Sequence, residues 1–319
     1  MPGMINMHEK RVIVTGAGGF IGGALTRRLA ETGAIVLGLT RNELPEPRAD
    51  LAVYMRCDLA DQKEVNRVFL DFSPEVVFHL ASNPDAIDSF SQIRSSVFGN
   101  LLLTLNVLES FAHCPDRHMF VFGDSTKVYG NCIPPYRKDL PVLPLCSYSI
   151  AKASGWEYCK LFQLVHELPS VSIRPTITYG PRQKLNLVGF VIDSILKGEK
   201  EIVLSGGDQT RDLLFVDDCV EAFLMAGMQS PEKVGGEVIN IGGGSELPVF
   251  QIAQIIATLM ESEIRIVPRT NLRRPTEISR CYSDNKEPLE LLGWKPMFSL
   301  TEGLIKTIEY RKSLQEIKR

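Results

Sequence analysis

The chain has 319 residues, 44% of them hydrophobic and 23% charged, and a net charge of −3 at pH 7. That is an ordinary balance for a globular protein, with length enough for a sizeable core in one large domain or two smaller ones. It argues against a strong nucleic-acid binder, since such domains are usually basic, and no apolar run reaches the roughly 18 residues of a membrane span.

The seven cysteines, at 57, 114, 132, 146, 159, 219 and 281, are odd in number and never spaced C-x-x-C, which fits reduced thiols and a cytoplasmic location. The N-terminal MPGMINMHEKR has no apolar stretch of the kind a secretory signal needs. The five histidines, at 8, 79, 113, 118 and 166, show no ligand spacing, so no metal is expected. His79 lies inside an apolar run and reads as a hydrogen-bonded core histidine.

RVIVTG (11–16) is a short β-branched run ending in Gly, the pattern of a buried strand. GFIGGALTRRLAETG follows, with Ile21, Leu25 and Leu29 at helical spacing and Gly33 as a stop. AIVLGLT (34–40) reads as a second strand and DLADQKEVNRVFLDF (58–72) as a helix entered through acidic residues. EVVFHLAS (75–82) is another buried strand, NLLLTLNVLESFAH (100–113) an apolar helix and HMFVFGDS (118–125) a further strand. Strands apolar on both faces, alternating with helices, predict an α/β fold with a doubly wound parallel sheet. Beyond 175 Gly and Pro become frequent, which predicts a smaller mixed C-terminal lobe, while EVINIGG (237–243) reads as a strand that rejoins the main sheet.

TGAGGFIGG sets Gly16, Gly19 and Gly22 between the first strand and the first helix. A loop there needs positive φ and close approach of backbone to a ligand. The helix start at Phe20 and Ile21 offers N–H groups and a partial positive charge to a pyrophosphate. At the first strand-to-helix turn of an α/β pattern, this predicts dinucleotide binding in a Rossmann-type fold. Residues 1–175, with the strand near 237–243, are then the dinucleotide-binding domain, and 176–319 the substrate lobe. An acid at the tip of the second strand would hold the ribose diol of NAD. Here the tip is Thr40-Arg41, with no acid before Glu43. A hydroxyl and a guanidinium suit a 2′-phosphate, so NADP is the expected cofactor and NAD the second choice.

Two stretches, YSIAK (148–152) and YSDNK (282–286), place a Tyr four residues before a Lys, and the spacing does not separate them. Context does. The chain carries, in order, VTGAGGFIG (14–22), CDLAD (57–61), VVFHLAS (76–82), NLLLTLNVLE (100–109), DSTKVYG (124–130), YSIAK, IRPTITYGP (173–181), RDLLFVDD (211–218), INIGGG (239–244) and LGWKP (292–296). Over nearly its whole length it resembles the extended short-chain dehydrogenases/reductases, the group of nucleotide-sugar epimerases, dehydratases and reductases. The resemblance implies an NAD(P)-dependent enzyme, a C-terminal nucleotide-sugar-binding lobe, and a homodimer through the helices around 100–113 and 149–166. It implies adenine contacts at Asp58 and Leu59 and further cofactor contacts at Leu80, Ala81 and Pro175. It makes Ser125, Tyr148 and Lys152 the catalytic residues, with Lys152 also on the nicotinamide ribose. On the substrate side it implies Ser125, Thr126, the diphosphate-gripping Arg211 and Arg274, and the helix start Asn186-Leu187-Val188.

On a helix, Tyr148 and Lys152 share one face. A phenol titrates near 10, and a neighbouring ammonium together with a nicotinamide cation would lower that value. Tyr148 could then pass a proton to or from a sugar oxygen that Ser125 also holds. YSDNK is polar and remote from the Ser125 strand, and its Asp284 reads as a helix N-cap. Related 4,6-dehydratases carry acids just after the Ser/Thr position, where this chain has Thr126 and Lys127, so dehydration and decarboxylation are disfavoured. Ile177 stands where many epimerases have Asn, and Pro84 where some have Lys. The expected activity is NADPH-dependent 4-ketoreduction of a 4-keto-6-deoxy sugar nucleotide, with NAD-dependent 4-epimerisation as the alternative. A non-enzymatic dinucleotide sensor is opposed by the presence of both Tyr148 and Lys152. A reductase of small carbonyl compounds is opposed by Arg211 and Arg274.

Overall fold

The computed structural model describes residues 6–42, 52–84, 89–183, 186–272 and 274–316, so Glu43 and Arg273 lie outside the described residues. The first half runs β1 (Arg11–Thr15), α1 (Phe20–Glu31), β2 (Ile35–Thr40), β3 (Val53–Arg56), α2 (Gln62–Phe72), β4 (Val76–His79) and α3 (Phe90–Ser96). A π-helical turn (Val97–Leu102) leads into α4 (Leu103–Ala112), followed by β5 (Met119–Gly123), α5 (Ser147–His166) and β6 (Ser170–Pro175). The second half adds β7 (Ile177–Tyr179), α6 (Leu187–Leu196), β8 (Glu201–Ser205), β9 (Thr210–Arg211), β10 (Leu213–Phe215), α7 (Val216–Met228) and α8 (Pro231–Val234). It ends with β11 (Val238–Ile241), β12 (Leu247–Pro248), α9 (Val249–Leu259), β13 (Arg265–Arg269), α10 (Lys286–Leu292) and α11 (Leu300–Glu316).

Seven strands form one parallel sheet in the order β3-β2-β1-β4-β5-β6-β11, the doubly wound Rossmann arrangement. β4, β5 and β6 are buried along their whole lengths, which is why β4 and β5 are near-continuous apolar runs, while β6 carries the buried Arg174. One face of the sheet packs on α1 and α7 in a core that continues to Ile308, so the two halves of the chain share a single apolar cluster. The other face packs on α2, α4 and α5 around Phe69, Phe111, Phe120 and Trp156. The remaining strands pair in twos: β7 with β10, β8 with β13, and β9 with β12.

Several elements differ from the sequence reading. α2 starts at Gln62, not 58, because the Asp61 carboxylate accepts the N–H groups of Lys63 and Glu64 at 2.9 and 3.3 Å and caps the helix there. The helix expected from 100 emerges from a π-helical turn that holds Asn100. Before α10 the capping position belongs to Asn285, at φ 58°, rather than to Asp284, whose Oδ1 still accepts the Lys286 N–H at 3.2 Å. β3 and α3 had no signal: β3 is an edge strand with Val53 and Met55 exposed, so it lacks a buried run. Among the described residues no helix is long and apolar enough to cross a membrane.

Candidate active site

The turn from β1 into α1 is held tight by its glycines. Gly16 sits at φ +69°, where a Cβ would lie 2.7 Å from the Ala81 backbone nitrogen, and a Cβ on Gly22 would lie 2.2 Å from the Gly16 carbonyl oxygen. Among the described residues no side chain caps α1, so the first turn keeps its N–H groups for an anion. This turn forms one end of a cleft of about 1330 Å³, lined also by Leu80, Ser125, Thr126, Tyr148, Lys152 and Pro175, and on the far side by Asn186, Leu187, Arg211 and Arg274. Single small-molecule sites run to roughly 1,000 Å³, so this one has room for a dinucleotide and a second ligand. The buried Thr176 hydroxyl in the cleft has no partner among the described residues, a further fit to a polar ligand.

Thr40, Arg41, Asp58, Leu59 and Ala81 are not among the lining residues. Thr40 is buried at the end of β2 and donates to the Asn42 carbonyl at 2.8 Å, while Arg41 is exposed. Asp58 is exposed and accepts the Ala60 N–H at 3.0 Å. Leu59 packs in the core beside α2, and its carbonyl accepts from Asn106 at 2.8 Å.

Three elements bring one wall of the cleft together. Tyr148 opens α5, and it lines the cleft with Ser125 after β5 and Ser82 after β4. Ser82 in turn donates to Asn100 Oδ1 at 2.9 Å, and that oxygen also accepts the Asn83 N–H at 2.8 Å. Asn100 Nδ2 donates to Ser96 Oγ at 3.0 Å and to the Asn83 carbonyl at 3.2 Å. The π-helical turn thus aims a fully bonded amide at the loop that carries Ser82. Sequence reading missed both Ser82 and Asn100, and the only signal was a polar residue heading an apolar helix.

Burial pushes the Tyr148 phenol well above the usual range, the Asp124 carboxylate adds to this, and Ser125 pulls back only in part. The Lys152 ammonium is buried, donates to the Gly123 carbonyl at 2.6 Å and lies 5.0 Å from the Phe122 ring. Burial lowers its own pKa to about 8, with Asp124 opposing.

Beneath the wall lies a buried ion pair. Asp124 Oδ2 accepts from Arg174 Nε at 2.6 Å and Ser172 Oγ at 3.0 Å, and Oδ1 accepts the Ser125 N–H at 2.8 Å. Arg174 also donates to the Tyr129 hydroxyl at 2.9 Å, which donates to Asn240 at 3.0 Å. Buried charges survive when paired and bonded in this way, and here they fix the backbone of Ser125. His79 is neutral, with burial lowering its pKa to about 3. Thr15 Oγ1 accepts the Leu80 and Ala81 N–H groups and so donates to His79 Nδ1 at 2.9 Å; Thr104 donates to the Asn100 carbonyl and so accepts from Nε2 at 3.1 Å.

On the substrate side, Thr126 donates to the Pro175 carbonyl at 3.1 Å. Arg211 donates to the Thr210 and Ile278 carbonyls at 2.7 and 2.8 Å and pairs with Glu277, which Arg274 reaches at 3.1 Å. Glu277, unremarked in the sequence, therefore joins the two arginines. Asn186 caps α6 by accepting the Gly189 N–H at 2.8 Å. Lys127 lines the cleft with its ammonium 5.5 Å from the Tyr148 ring centroid. Among the described residues no group of three or more His, Cys, Asp or Glu could hold a metal ion.

The NAD dependent epimerase/dehydratase family model matches residues 12–242. A UDP-glucose 4-epimerase from Mycolicibacterium smegmatis is 30% identical over 314 residues, 94% of this chain and 98% of that protein. Among solved structures, an epimerase from Methanothermobacter thermautotrophicus matches with a TM-score of 0.88 at 28% identity, covering 98% of this chain and 94% of that one. The UDP-glucuronic acid 4-epimerase of Bacillus cereus, in complex with UDP-glucuronic acid and NAD, matches with a TM-score of 0.86 at 27% identity, covering 95% and 99%.

Proposed function

The chain belongs to the NAD-dependent epimerase/dehydratase family, the extended short-chain dehydrogenases/reductases of nucleotide sugars, and on that premise we propose that it is a 4-ketoreductase acting on a 4-keto-6-deoxy sugar nucleotide with NADPH. The observation that carries this reading is the make-up of the cleft wall: the Tyr148 phenol and Ser125 line it together, with no carboxylate at 126 or 127. A protonated phenol is set to give its proton to an oxygen that gains negative charge, and the Ser125 hydroxyl shares that oxygen. A nicotinamide nucleotide, when bound, supplies the hydride. Gly16, Gly19 and the first turn of α1 are the proposed pyrophosphate cradle, and Lys152 steadies the wall through the Gly123 carbonyl. Arg211 and Arg274, held by Glu277, are the proposed diphosphate contacts, with the start of α6 beside them.

Support for NADPH lies at the tip of β2. No acid stands among its described residues 40–42, and exposed Arg41 is free to meet a 2′-phosphate. Arg41→Ala should raise KM for NADPH about tenfold and leave NADH unchanged. The division into residues 1–175 plus β11 and a nucleotide-sugar lobe from 176 belongs to the same proposal. So does a homodimer through the helices around 100–113 and 149–166, here the π-helical turn with α4, and α5, where Phe98, Leu161 and Leu164 are 61%, 47% and 81% exposed. A monomer by light scattering at working concentration would remove the dimer.

The second reading, an NAD-dependent 4-epimerase, is favoured by the likeness to two UDP-sugar 4-epimerases, one of them solved with NAD. Incubation with NADPH and a 4-keto-6-deoxy sugar nucleotide separates the two. One NADPH oxidised per sugar reduced supports reduction. Interconversion of unreduced UDP-sugars on catalytic NAD, with no NADPH loss, makes the protein an epimerase.

A further inference from the structure

Lys127 stands two residues after Ser125 in the 3-10 turn Thr126–Tyr129, half-buried in the cleft wall. Its Nζ makes no hydrogen bond or ion pair with any described residue, and the contact it does make is with the Tyr148 ring, 5.5 Å to the centroid. The other cations near the reacting wall are engaged. Lys152 is on the Gly123 carbonyl, Arg174 on Asp124, and Arg211 and Arg274 on Glu277.

We propose that Lys127 is a positioning residue for proton transfer: its ammonium holds the face of the Tyr148 ring and stabilises the phenolate whenever Tyr148 gives up its proton. The inference rests on Tyr148 being the proton-transfer group of the reaction proposed above. A cation over an aromatic face is drawn by the ring quadrupole while the phenol is neutral, and by a full opposite charge once it ionises. The preference is therefore for the ionised form, the form that burial and the Asp124 carboxylate disfavour. Among the groups facing Tyr148, Asp124 and Cys146 oppose the phenolate, while Ser125 favours it; the Ser82 hydroxyl proton is already given to Asn100. Lys152 shares the α5 face but directs its ammonium to the Gly123 carbonyl. Around Lys127, Cys146 and Glu277 favour its charge, whereas burial, Arg274 and Arg211 disfavour it, so the help it gives fades as pH rises.

The test compares the full chain with Lys127→Gln and Lys127→Arg. A fluorinated tyrosine at position 148, with a lower intrinsic pKa, brings the titration into a range where the protein is folded, and 19F NMR reads it without turnover. We expect Lys127→Gln to move that titration up by about one pH unit, tenfold in the ionisation constant. The high-pH limb of kcat/KM for reduction should move with it, and Lys127→Arg should restore both. An unmoved titration with only KM raised would overturn the proposal and make Lys127 a contact for an anionic substituent of the substrate. An unmoved titration with kinetics unchanged would reduce it to packing. The NMR titration decides between these even if reduction of the sugar is never observed, so the loss of the activity reading and the loss of this one remain distinguishable.

Discussion

Tyr148–Lys152 and Tyr282–Lys286 are matching strings in opposite settings. The first opens α5, so both side chains lie on one helix face, and Lys152 is buried against the Gly123 carbonyl. The second is broken by Asn285 at φ 58° just before α10 begins, so its Tyr and Lys share no helix face. Its Lys286 side chain is 80% exposed, 3.8 Å from Asp284, and the Tyr282 carbonyl accepts the Tyr136 N–H at 2.8 Å. Burial raises both phenols, but Tyr148 alone lines the cleft with Ser125 and Ser82. A site is made by the strand ends and loops that arrive beside a residue pair, not by the pair.

The strongest way to break this contrast is to remove each hydroxyl. Tyr148→Phe should lower kcat about 10³-fold with melting temperature nearly unchanged, and Tyr282→Phe should stay within about twofold. Equal losses would erase the distinction. Next comes the support beneath the first pair. Arg174→Met leaves the Asp124 charge buried without its partner and should cost about 3 kcal/mol by urea unfolding, a penalty with no counterpart near Tyr282.

A pH series probes the same layer. His79 has a folded pKa of about 3, below an unfolded value near 6.5, so the unfolded chain binds the extra proton first. The stabilisation from keeping His79 neutral is complete above about pH 6.5 and is lost as pH falls towards 3. Unfolding free energy should drop by about 2 kcal/mol between pH 6.5 and 5, and His79→Asn should flatten that slope. The smallest effect belongs to the second pair: Lys286→Met should change stability by less than about 0.5 kcal/mol, because its ion pair is solvated.

The readable parts of the chain are those whose physics is local. β1, β4 and β5 announce themselves because a strand covered on both faces must be apolar throughout. Gly16 and Gly22 stand out because a side chain at either would strike the turn's own backbone or the tip of β4. The edge strand β3, half solvated, leaves no such mark. Nor could Glu277 be seen as the bridge between Arg211 and Arg274, since that depends on two distant loops meeting.

Fold class, the tight glycine turn after β1 and the different contexts of YSIAK and YSDNK were thus set by local pattern and order along the chain. Only the packed molecule decides that burial and Asp124 push the Tyr148 phenol up, that Lys152 turns to a carbonyl, and that Lys127 is left facing the ring. Burial and charge act through space, and the groups that set them here come from β4, β5, α5 and the π-helical turn, which the sequence keeps tens of residues apart.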